Sequence, residues 1–132
     1  MAQAIGTFEL VSGSEDAYLE TEGEARLTHA HGVQRFSGDI EGEGSVEWLM
    51  CCLPGGGARF VGMQRIAGSL GGRAGSFLVE ATGSHDGSQS TATWEVIAGS
   101  GTGALAGISG KGGFHAPGGR IVSYHLEYEL GV

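Results

Sequence analysis

Residues 94–114 read WEVIAGSGTGALAGISGKGGF, and how this stretch folds decides the architecture. A strand-like WEVIA runs into Gly99-Ser100-Gly101-Thr102-Gly103, with glycine at seven places before the next aromatic residue. The segment is too rich in glycine for a helix and too apolar for a solvated linker. It predicts two strands joined by a tight turn that needs positive φ.

The same pattern continues on either side. The chain has 132 residues, of which 27 are glycine and 40% are apolar, with aromatic residues spread throughout. That composition favours a single domain, 1–132, of short strands and tight turns over disorder. Residues 6–11 alternate as a first strand, followed by a polar turn at 12–16. Residues 24–33 place Ala25, Leu27, His29, His31 and Val33 on one side, so both histidines are expected on an apolar face.

Residues 35–52 sustain period two over the longest run. Phe36, Gly38, Ile40, Gly42, Gly44, Val46, Trp48, Met50 and Cys52 share one parity, and Glu41, Glu43 and Glu47 the other. This is either one long bent strand or two strands with a bulge near 42–44. At 59–67 both sides are equally apolar, which leaves open whether Gln64 or Arg65 faces inward. A hairpin turn at 70–73, a strand at 76–82, a loop at 83–90 and strands around Trp94 and at 121–130 complete about eight strands with no helix. An all-β chain of this kind packs as a sandwich or closes on itself, and closure removes exposed edges. A closed antiparallel eight-stranded β-barrel is the expected fold.

The segment at 99–110 resembles the GTG-x-L/F-A-G-x-S/R-G signature of the allene oxide cyclase and dirigent superfamily of eight-stranded barrels. FSGDIEG at 36–42, FVG at 60–62, GRAGSF at 72–77 and LEYEL at 126–130 resemble a bacterial domain-of-unknown-function family of allene-oxide-cyclase-like barrels. The resemblance implies the barrel over nearly the whole chain. The plant cyclases so resembled close a ring on an apolar unsaturated epoxide without a cofactor, and none of their catalytic residues maps onto a position of this sequence.

The net charge of −8, with no cluster of Lys or Arg, argues against nucleic acid or an anionic membrane as partner. No basic leader or long apolar run begins the chain, so a cytoplasmic location is expected. The adjacent Cys51 and Cys52 read as reduced thiols. Gly38, Gly42, Gly44 and Gly62 lie on the apolar parity, where they either empty the lumen or only permit the wall to curve. An emptied lumen walled by Phe36, Trp48, Phe60, Trp94 and Tyr124, with Cys52 near one end, would take a small hydrophobic molecule as its partner.

Polar groups on apolar faces are the candidates for chemistry, since burial there costs stability unless it is compensated. These are Tyr128, Gln64 and His29, with Glu41 in reserve should a bulge turn it inward; a buried tyrosine that merely bonds backbone is the plainer alternative. The functional expectation is a cofactor-independent isomerase or cyclase acting on a polyketide- or lipid-derived substrate. The alternative is a non-catalytic carrier or a structural homo-oligomer, given outward apolar residues such as Met63, Leu78 and Ile97. No cofactor is expected, because no helix can follow the glycines at 101–103. No metal is expected either, because His29-x-His31 lacks an evident third ligand. Ser84-His85-Asp86 is contiguous, a poor basis for triad geometry.

Overall fold

The computed structural model describes residues 1–131, and these form strands and turns alone. In chain order the strands are β1 Ala2–Leu19, β2 Arg26–Gly38, β3 Ile40–Cys52, β4 Ala58–Leu70, β5 Arg73–His85, β6 Ser90–Val96, β7 Thr102–Gly103, β8 Ser109–Ala116 and β9 Ile121–Glu129. Neighbours pair antiparallel around the ring β1-β2-β3-β4-β5-β6-β8-β9, and β9 returns to β1. The result is a closed eight-stranded antiparallel barrel, to which β7 adds only a two-residue pairing with β5.

The turns explain the closure. Leu70 pairs with Arg73 across Gly71 and Gly72, whose φ values of 57° and 82° give the two-residue hairpin that matches strand twist. The long alternating run breaks at Asp39, not at 42–44, so it forms the β2–β3 hairpin. Asp39 ties that corner to its neighbours: its Oδ2 accepts the Ile5 N–H at 2.8 Å and its carbonyl accepts the Gly71 N–H at 2.9 Å. Residues 12–16, expected as a turn, continue β1 instead. Register shifts at Leu10/Ser12 and Ala17/Leu19 let β1 keep pairing with β2 through to Leu19.

The opening stretch departs from expectation. Residues 97–108 are not a hairpin; after Val96 the chain leaves the wall, and Leu105 and Ile108 sit at 1% and 2% exposure in the common core with Ile40, Leu70 and Phe77. The Ala104 N–H donates to the Ala74 carbonyl at 2.8 Å, and the Gly131 N–H to the Gly107 carbonyl at 3.1 Å. An open barrel end offers these two aliphatic side chains more burial than a protruding hairpin would. This loop plugs the end of the barrel that carries Asp39 and the Gly71-Gly72 turn.

Inside, rings lie over glycines. Phe60 pairs directly with Gly83, Trp48 with Gly62, Tyr124 with Gly6 and Phe36 with Gly42. A Cβ built on Gly62 or Gly83 would sit 2.5 Å from the ring of Trp48 or Phe60, and one on Gly44 2.6 Å from the ring of Phe36. Of the glycines on the apolar parity, Gly44 and Gly62 therefore do not empty the lumen, because neighbouring rings occupy the space, while a Cβ on Gly38 or Gly42 would meet backbone. Gly44→Ala should cost about 1–3 kcal/mol through overpacking. Gly55→Ala should be close to neutral, since a Cβ there meets nothing within 4 Å. Chemical denaturation of the two variants checks the contrast.

Candidate functional site

The inner face follows even numbering in β1 to β4. Thr28, Gln34 and Phe36 of β2 are buried, as are Ile40, Gly44 and Val46 of β3 and Phe60, Gln64 and Ile66 of β4. This settles the 59–67 ambiguity with Gln64 inside and Arg65 outside. It also reverses the reading of 24–33, for His29 and His31 stand on the outer face. Glu41 is likewise exposed, since no bulge turns it inward. Phe36, Trp48, Phe60, Trp94 and Tyr124 are all on the inner side.

The open end of the barrel holds a cavity of about 410 Å³. Its floor is aromatic: Phe8 from β1, Trp48 from β3, Phe60 from β4 and Phe114 from β8. Trp48 meets Phe60 edge-on at 4.8 Å between ring centroids, and Phe8 meets Phe114 edge-on at 5.6 Å. Such T-shaped pairs fix one another's orientation and pre-form the surface. Leu10, Met50 and Val122 extend the apolar wall, while Gln34, Ser12, Ser90 and Arg120 supply the polar groups. The opening lies where β1 and β9 part. Their pairing ends at Glu9 with Ile121, and the next residues of β1 carry the first bulge. Arg120 leans across this seam, donating from Nη2 to the Leu10 carbonyl at 3.3 Å.

Of the residues singled out in the sequence, only Trp48 and Phe60 line this cavity. Phe36 and Trp94 lie beneath it, their centroids 6.3 Å apart. Gln64, at 1% exposure, donates from Nε2 to Gln34 Oε1, and that contact joins it to the floor. Gln64 Oε1 and Trp94 Nε1 are buried with no hydrogen-bond partner. Tyr124 is committed to backbone: its hydroxyl accepts the Ile40 N–H at 2.9 Å and donates to the Ser37 carbonyl at 3.1 Å. Burial raises the Tyr124 phenol above its ordinary pKa, and the charges of Asp39 and Glu41 add to the rise against the opposing Ile40 hydrogen bond. Tyr128 is at the plugged end, paired with Ala2 and Gly110, and Cys52 is half-buried at the β3 terminus beside Ala58. The residues that the sequence reading missed are Phe8, Gln34, Phe114 and Arg120.

Outside the barrel, Glu47 bridges the two histidines, reaching His29 Nε2 at 2.8 Å with one oxygen and His31 Nδ1 with the other. The His31 hydrogen bond, joined by that of His29, holds the Glu47 carboxyl below its ordinary pKa against an opposing desolvation. Among the described residues no group of three or more His, Cys, Asp or Glu is arranged to hold a metal ion. Of Ser84-His85-Asp86, the first two end β5 and only Asp86 lies in the β5–β6 turn. Asp86 accepts the backbone N–H groups of Gln89 and Ser88, both at 2.9 Å, which hold its carboxyl well below the usual range.

Fold and cavity together define a closed antiparallel β-barrel, plugged at one end and hollow at the other. The chain belongs to the family described as "Protein of unknown function (DUF3224)", which matches residues 4–128. A crystal structure of a protein with unknown function from that family, from Shewanella oneidensis MR-1, is similar at a TM-score of 0.84 and 24% identity, covering 100% of this chain and 99% of its own. That likeness shows the fold. No curated protein matches the chain. Neither match connects it with the allene oxide cyclase and dirigent superfamily, so that resemblance rests on the signature at 99–110.

Two consequences can be measured. Tyr124→Phe leaves the buried Ile40 N–H without its acceptor and should lower stability by about 1–3 kcal/mol in denaturant titrations. For Glu47, a lowered folded-state pKa means that its contribution to stability is present above the unfolded-state value and is lost as pH falls through the folded one. Glu47→Gln should therefore be less stable than the native chain at neutral pH, and the gap should close as the medium is acidified, as thermal melts across the acid range would show.

Proposed function

We propose that this protein is a binding module that takes a small, mostly apolar molecule into the open end of its barrel. The observation that carries this reading is the cavity of about 410 Å³, floored by four aromatic rings held edge to face in two pairs and touched by few polar groups. Small-molecule sites have this size and composition, and the mouth of a β-barrel is a common place for them.

The isomerase or cyclase reading needs a side chain that gives or takes a proton at the substrate. The residues lining the cavity include no carboxylate, imidazole, thiol or phenol, and the guanidinium of Arg120 does not deprotonate in water. Tyr128 is at the far end, and His29 and Glu41 are outside. Holding a ligand therefore has more support than transforming one.

The uncharged apolar dye N-phenyl-1-naphthylamine tests this reading. Its emission should rise saturably on titration with the protein. Ala116→Trp, which fills the cavity from β8, should abolish the rise, while Leu78→Trp on the outer wall should leave it intact. An unchanged signal in Ala116→Trp would place the dye elsewhere.

A further inference from the structure

His29-x-His31 is one ligand short as a sequence, and the fold supplies a third donor from the neighbouring strand. The two histidines are two positions apart on the outer face of β2, and β3 brings Glu47 opposite His31 and diagonal to His29. The carboxylate meets both rings: Glu47 Oε1 is 2.8 Å from His29 Nε2, and its Oε2 contacts His31 Nδ1. No bulge interrupts the β2–β3 ladder from Arg26 with Cys52 to Phe36 with Gly42, so the wall itself fixes the spacing of the three. Asp16 of β1 stands opposite His29 on the same face and adds negative charge.

Stability is a poor reason for this cluster. The side chains of His29, His31 and Glu47 are 52%, 44% and 52% exposed, and ion pairs so placed contribute little. Two imidazole nitrogens and one carboxylate suit a borderline divalent cation, since softer Cu(I) seeks sulfur and harder Ca2+ and Mg2+ seek oxygen. Zn2+ takes three such protein ligands and completes its shell with water. We propose that His29, His31 and Glu47 form a surface site for a divalent transition-metal cation of the Zn2+ class. As hydrogen-bonded, the trio does not surround one point, because each ring holds a different oxygen of Glu47. Side-chain torsions of these exposed groups draw the donors together while the backbone stays in place. The cation then takes the place of the shared hydrogens, and each neutral imidazole keeps its proton on the other ring nitrogen. The site is on the outer wall and is independent of whether the barrel mouth takes a ligand.

The test is calorimetric titration of the native chain with Zn2+ at neutral pH, which should show one-to-one binding. His29→Ala, His31→Ala and Glu47→Gln should each weaken that binding about tenfold or more. His29→Gln and His31→Gln repeat the measurement should an alanine variant fold poorly. The chain holds other possible ligands in Cys51 at the end of β3 and His115 and His125 on β8 and β9. Cys51→Ser and His125→Ala should therefore leave the affinity unchanged. In NMR spectra, Zn2+ should shift the imidazole resonances of His29 and His31 and leave those of His85, His115 and His125 in place. An affinity unchanged by substitution at any one of the three positions removes that residue and overturns the proposal, as does a native chain that binds no Zn2+.

Discussion

Four of the rings that fill this barrel occupy space that a glycine on the neighbouring strand gives up. Trp48 covers Gly62, Phe60 covers Gly83, Phe36 reaches over Gly44 and Tyr124 lies beside Gly6. An eight-stranded barrel is too narrow for large side chains at every inward position, so bulk must alternate with none around the wall. Stagger between strands follows from the same constraint. Slipping β4 by two residues against β3 would set Trp48 opposite Phe60 or Gln64 in place of Gly62 and crowd the wall there.

This filling is uneven along the axis, and that unevenness makes the site. At one end Leu105 and Ile108 close the core together with Leu70 and Phe77. Among the described residues no corresponding loop crosses the other end, where the turns at 53–57, 86–89 and 117–120 reverse the chain within a few residues. The cavity is what remains between the last tier of rings and those turns. On its floor, β2 contributes the polar Gln34 where β3 and β4 contribute Trp48 and Phe60.

Much of the architecture was legible in the sequence because bulky residues keep strict alternation in β3, from Ile40 through Val46 and Trp48 to Met50. The same rule misled in β2. There the inward positions Ala30 and Gly32 are small while Leu27 and Val33 face out, because Leu10 and Val46 fill the space above Gly32 from the adjoining strands. Alternation within one strand cannot register a side chain lent by its neighbour. The run at 97–108 was opaque for a different reason: glycines at positive φ serve a hairpin and a folded-over plug equally well. A signal for the floor was nonetheless present, since Gln34 stands two residues before Phe36 on a face that is otherwise apolar or small.

Beyond Glu9 the first strand loses one of its two companions. From Ser12 to Leu19 its described ladder runs only to β2, and Glu15 and Asp16 place charge along that unaccompanied border. Charged residues and bulges discourage another chain from adding there. The mechanical result is a base paired on both sides carrying a lip paired on one, so the lip is the part of the wall that opens at least cost in hydrogen bonds.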